Sequence, residues 1–239
     1  MTTFVLIHGA WHGGWCWKKV SPILREAGHE TYSPTLTGLG ERSHLLSRDI
    51  DLNCHIQDVV NVLEYEGLKD VVLVGHSYAG MVITGVADRC PERLAQLVYL
   101  DAFAPQNGQS ALDIIAAARG DGDSSDEGFP PDMWLIPPPA ADALGVTDPN
   151  DASWLEQHLT PHPLKTTAEK LLLNNRHEAK IKRTYISCTV DQGKLMPSMK
   201  WTAEQVRQKA DWNYLEMETS HNAMVTEPDK LAQHLLNLI

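Results

Sequence analysis

A serine with a small residue two positions away on each side, Gly75-His76-Ser77-Tyr78-Ala79, directly follows the apolar run Val71-Val72-Leu73-Val74. A strand that turns sharply into a helix presents such a hydroxyl above the sheet, and the turn is tight enough that only small side chains fit beside it. The backbone N–H of Tyr78 can then point at negative charge developing on a substrate oxygen. A serine hydroxyl is a weak nucleophile at neutral pH, so this chemistry needs a base and an acid that orients the base. His221, in the polar stretch Thr219-Ser220-His221-Asn222-Ala223, is the candidate base. The order nucleophile, acid, base along the chain is one in which such triads are built.

Two aspartates that follow strand-like runs compete for the acid. Asp191 follows the run from Thr184 to Val190 and stands 221 − 191 = 30 residues before His221, room for one strand-helix-strand unit; Asp101 follows Leu97-Val98-Tyr99-Leu100. The shorter connection favours Asp191, and Asp101 also reads as a helix N-cap, but both stay open. Near the start, His8-Gly9-Ala10-Trp11 follows Phe4-Val5-Leu6-Ile7, a glycine-rich loop able to turn the backbone N–H of Ala10 toward the same oxyanion as that of Tyr78. The set predicts acyl transfer to Ser77, hence ester hydrolysis.

The elements that must position these residues alternate. Phe4 to Ile7, His29 to Ser33, Val71 to Val74, Leu97 to Leu100, Thr184 to Cys188 and Asn213 to Met217 read as strands. Helical spacing runs from Trp17 through Leu24, from Leu52 to Leu63 with Ile56, Val59, Val60 and Leu63 on one stripe, from Met81 through Leu94, from Thr202 to Lys209 and from Ala223 to Ile239. All-apolar strands alternating with helices predict an α/β fold, a mainly parallel sheet covered by helices on both faces. From about 105 to 182 the rhythm breaks, with an acidic, glycine-rich stretch at 120–128 and Pro137-Pro138-Pro139. We read one domain, 1–239, with a helical cap inserted at about 105–182.

Composition excludes several classes. The chain has 239 residues, 43% hydrophobic and 21% charged, and so can build a full core; global disorder is excluded. Its net charge of −11 repels phosphate backbones and anionic lipid headgroups, so neither nucleic acid nor membrane is an expected partner. Cys16, Cys54, Cys90 and Cys188 are scattered singly, and His8 and His12 sit among glycines, so no metal site is expected. The opening residues carry no basic leader, which predicts a cytoplasmic chain. No signal of an oligomeric state is visible.

The motifs Phe4 to Trp15, Val74-Gly75-His76-Ser77-Tyr78-Ala79-Gly80-Met81, Leu100-Asp101-Ala102-Phe103, Cys188-Thr189-Val190-Asp191 and Ser220-His221 together resemble the α/β-hydrolases that join plant methylesterases and hydroxynitrile lyases with small bacterial carboxylesterases, pyrethroid hydrolases among them. The resemblance implies Ser77, Asp191 and His221 as triad, Ala10 and Tyr78 as oxyanion donors, a helical cap over the pocket, no cofactor and a small-molecule ester as substrate. Ala79 departs from the commoner second glycine of the turn, and the cap matches the plant members poorly. Lyases of this kind are expected to carry a threonine at position 10 and a lysine at 222, where this chain has Ala10 and Asn222. A hydrolase-like receptor that binds without turnover is the remaining alternative.

Overall fold

The apolar runs become strands because each buries both faces, where a polar side chain needs a partner, as Gln96 has in the Thr184 hydroxyl (2.8 Å). In the computed structural model, which describes residues 1–120, 129–130, 132–174, 181–190 and 196–239, the chain begins with β1 (Thr3–Ile7), a 3-10 turn at Gly14–Trp17, α1 (Val20–Glu26) and β2 (Glu30–Tyr32). It continues through α2 (Leu52–Tyr65), β3 (Val71–His76), α3 (Ala79–Arg89) and β4 (Leu94–Leu100). Next come α4 (Ala111–Arg119), β5 (Leu135–Ile136), α5 (Pro149–Glu156), β6 (His162–Pro163) and α6 (Leu164–Ala168). The chain then returns through β7 (Lys182–Cys188), α7 (Pro197–Arg207), β8 (Trp212–Met217), α8 (Ala223–Thr226) and α9 (Pro228–Leu236).

Six strands form one sheet in the order β2-β1-β3-β4-β7-β8, every neighbouring pair parallel. Alternate residues of one strand feed two cores. Val5, Ile7, Val71 and Leu73 pack with Ile56 and Val59 of α2 and Met81 and Val82 of α3. Phe4, Leu6, Val72 and Val74 pack on the other face with Trp17, with Val20 and Leu24 of α1 and with Leu231 and Leu235 of α9. Each such side chain, fully buried, contributes about 1.5–3 kcal/mol. Parallel strands stacked this way bring the loops after β1, β3, β4 and β8 to one edge of the sheet.

Several elements differ from the periodicity reading, each for a local reason. The helix expected from Met81 to Leu94 stops at Arg89 because Pro91 follows, and Leu94 opens β4. The last helix is two: Glu227, the residue before Pro228, leaves helical geometry at φ −139° and splits α8 from α9. The stretch from Trp17 begins as a 3-10 turn, with α-helix only from Val20. Between β4 and β7 the chain holds more than helices, since β5 and β6 pair antiparallel with Leu135 opposite Pro163 and Ile136 opposite His162. Part of that stretch lies outside the described residues.

Candidate active site

Ser77 sits at the end of β3 with φ +56°, a left-handed backbone that a non-glycine residue adopts only where its surroundings impose it. The imposition is visible. Its N–H donates to Leu100 O (3.2 Å) and its carbonyl accepts the N–H of Phe103 (3.1 Å), so the neighbouring strand end grips the turn on both sides. A Cβ on Gly75 would lie 2.9 Å from Ala79 O, which is why the turn needs a glycine there. Trp11 (φ +65°) and Asp101 (φ +42°) share the left-handed geometry, and both also follow strands at this edge of the sheet.

His221, buried in the loop after β8, holds its imidazole against Asp101: Nδ1 to Oδ2 is 2.6 Å. Asp101 is wholly buried at the end of β4, its Oδ1 accepting the Cys188 N–H (3.2 Å) and its own N–H donating to Ile186 O (2.8 Å). These bonds aim the carboxylate at His221, and Nδ1–H donation to Asp101 leaves Nε2 free to accept a proton. Asp101 is therefore not the helix cap it also resembled; the next helix, α4, is capped by Ser110. Asp191, which the chain spacing favoured, lies outside the described residues. The His221 main chain is tied to the serine turn by His76, whose Nε2–H donates to His221 O (2.9 Å) while the two rings sit 4.5 Å apart.

The loop after β1 reaches the same point. A Cβ on Gly9 would lie 2.9 Å from both Ser77 Cβ and His76 Nδ1, so this loop lies against the serine turn. His8 accepts the Leu36 N–H at Nε2 (3.0 Å), which leaves its proton on Nδ1, donated to Gly9 O (2.8 Å). In a trans peptide the C=O and the next N–H point in opposite directions, so holding Gly9 O fixes where Ala10 N–H points. Neither Ala10 N–H nor Tyr78 N–H has another acceptor among the described residues. Gly9→Ala should consequently push the loop off the turn and lower kcat by about 10²-fold or more, the loss expected when one oxyanion donor is misplaced. A steady-state assay on an aryl ester checks it.

Sequence reasoning missed a cluster of buried histidines. His8, His12, His55, His76 and His162 are at most 1% exposed. Burial, the largest cause in every case, lowers His8 to about 3 and His12 to about 4, pushes His76 and His162 well below their ordinary value, and lowers His55 as well. His8, His12 and His76 each adjoin a glycine and His162 stands between two prolines, so no periodicity marks them as core, whereas His55 lies on the buried stripe of α2 with Leu52, Ile56 and Val59. Because these groups bind protons in the unfolded chain near pH 6.5 and not in the folded one, their stabilisation is complete above that pH and is lost as pH falls toward their folded values. His8 and His12 alone remove at most about 2.7 kcal/mol per pH unit, the limit being approached near pH 5. Denaturant melts from pH 8 to pH 4.5 should show stability falling steeply below pH 6; a flat profile would refute neutral buried imidazoles.

Among the described residues no group of three or more His, Cys, Asp or Glu could hold a metal ion, and no helix is long and apolar enough to cross a membrane. Residues 4–234 match the model of the alpha/beta hydrolase family. The chain is 38% identical to a carbendazim hydrolyzing esterase of Nocardioides sp. (strain SG-4G), with both chains covered completely. It is 26% identical to salicylic acid-binding protein 2 of Nicotiana tabacum, over 98% of this chain and 96% of that one. Among solved structures, an extracellular alpha/beta-hydrolase from a Paenibacillus species superposes with a TM-score of 0.78 at 24% identity, covering 99% of this chain and 98% of that one. The chain belongs to the alpha/beta hydrolase family, among relatives that are esterases.

Proposed function

We propose that this hydrolase is a serine carboxylesterase acting on small to medium, aromatic or bulky, carboxylic esters through an acyl-enzyme. Ser77 Oγ attacks the ester carbonyl as His221 Nε2 takes its proton; the tetrahedral oxyanion is held by the N–H groups of Ala10 and Tyr78; His221 then protonates the leaving alcohol, and water repeats the sequence to release the acid. Asp101 holds the imidazole and balances its charge when protonated. The observation that carries this reading is the 2.6 Å contact between His221 and Asp101 beside a serine forced into left-handed geometry. No cofactor enters any step. We further propose a single domain in which the segment at about 105–182 acts as a cap, and a cytoplasmic location, which suits four free cysteines.

The experiment is a substrate panel of p-nitrophenyl, methyl, aryl and pyrethroid esters with carbendazim, included because a relative is named for hydrolysing it. Mandelonitrile completes the panel. Position 10 is an alanine with no hydroxyl, and the residue after the base, Asn222, is buried and uncharged, so cyanide would leave without a charge partner. Turnover of esters with no enzyme-dependent cyanide is the expected outcome. Cyanide release lost on Ser77→Ala would overturn the esterase reading.

A further inference from the structure

Trp11, the residue after Ala10, and Tyr78, whose N–H is the second proposed oxyanion donor, both touch one small piece of the segment between β4 and β7. Trp11, directly after Ala10, donates its indole N–H to Ile136 O on β5 (3.1 Å). Its carbonyl accepts the Thr160 N–H (2.9 Å), and the Thr160 hydroxyl, 3.4 Å from the same oxygen, itself accepts the Gly40 N–H (3.1 Å). Ile136 is the register partner of His162 on β6. His162 closes the circuit: its ring lies edge-on to Trp11 (6.3 Å between centroids) and to Tyr78 (4.7 Å). Tyr78 is fixed from behind by its hydroxyl, which donates to His55 Nδ1 (3.0 Å), since His55 Nε2–H is given to Thr37 O (3.0 Å). His162 is fixed in turn by donating from Nε2 to the Thr166 hydroxyl (2.8 Å), which passes its proton on to Pro163 O (2.8 Å).

We propose that the antiparallel β5–β6 pair is a clamp on the oxyanion hole, with Trp11 and His162 as positioning residues that set the Ala10 and Tyr78 N–H groups relative to each other. Trp11 needs holding, because at φ +65° its backbone relaxes toward an ordinary conformation once its partners are removed, and relaxation there swings the Ala10–Trp11 peptide next to the hole. An oxyanion hole acts on the transition state more than on bound substrate, so a loosened clamp lowers kcat and leaves KM nearly unchanged. The inference rests on the acyl-enzyme reading above.

The test uses two variants of the full chain. Trp11→Phe keeps a ring and removes the bond to Ile136; His162→Gln keeps a hydrogen-bonding group and removes the aromatic wedge. For a p-nitrophenyl ester, each should lose about 10- to 100-fold in kcat with KM within about threefold, and the affinity for a trifluoromethyl ketone, which mimics the tetrahedral oxyanion, should fall in parallel while that for the product acid does not. Unchanged kcat in both variants, or a loss confined to KM, overturns the clamp. Ser77→Ala runs alongside: if it retains activity the acyl-enzyme reading itself fails, whereas loss there with unaltered kcat in the two clamp variants overturns the clamp alone. Should Trp11→Phe not fold, His162→Gln decides by the same split.

Discussion

Ser77→Ala should lower kcat on aryl esters by about 10⁶-fold, the scale on which a serine triad contributes to turnover. The fold should survive. Alanine takes the same strained backbone that Ser77 occupies, the bonds to Leu100 O and from Phe103 N–H use only main chain, and the residue is 9% exposed, so no cavity of consequence opens. Circular dichroism and the melting temperature should stay near those of the wild type while turnover disappears. Residual activity within about tenfold of wild type would remove Ser77 from the chemistry.

The second large effect is at Asp101. Asn keeps the size and tolerates φ +42° well, yet it cannot balance an imidazolium, and its amide favours the wrong tautomer of His221. A drop of about 10⁴-fold in kcat is expected for Asp101→Asn, as the handling of a triad aspartate in serine proteases indicates. Asp191→Asn should cost far less. The ranking of the two, measured on the same ester with folding checked by melts, assigns the acid; the reverse ranking returns the role to Asp191.

The sequence alone led to Ser77, His221, Ala10 and Tyr78 because their signals are local: small residues two away from the serine, a polar loop before the last helix, glycines after the first strand. The strands were legible for the same reason, since Val71 to Val74 and Leu97 to Leu100 carry no polar interruption. The pairing of Asp101 with His221 was not, because chain separation is a poor guide to sheet order. Asp101 lies 120 residues from His221 and touches it, as the order β3-β4-β7-β8 places the end of β4 between the serine turn and the strand leading to the base. The broken last helix was visible in principle at Pro228. Of the buried histidines only His55 was visible in principle, on the α2 stripe with Leu52 and Ile56; His8, His12, His76 and His162 stand beside glycines or prolines, where no periodicity announces burial.

Trapping the acyl-enzyme tests Ser77 as nucleophile directly. Mixing the chain with excess p-nitrophenyl acetate, quenching in acid within the first turnover and locating the acetyl group by peptide mass spectrometry reads the nucleophile without any substitution. A burst of p-nitrophenol and a single acetyl group carried by Ser77 are expected. An acetyl group on another side chain, or turnover with neither burst nor adduct while Ser77→Ala remains active, would contradict that assignment.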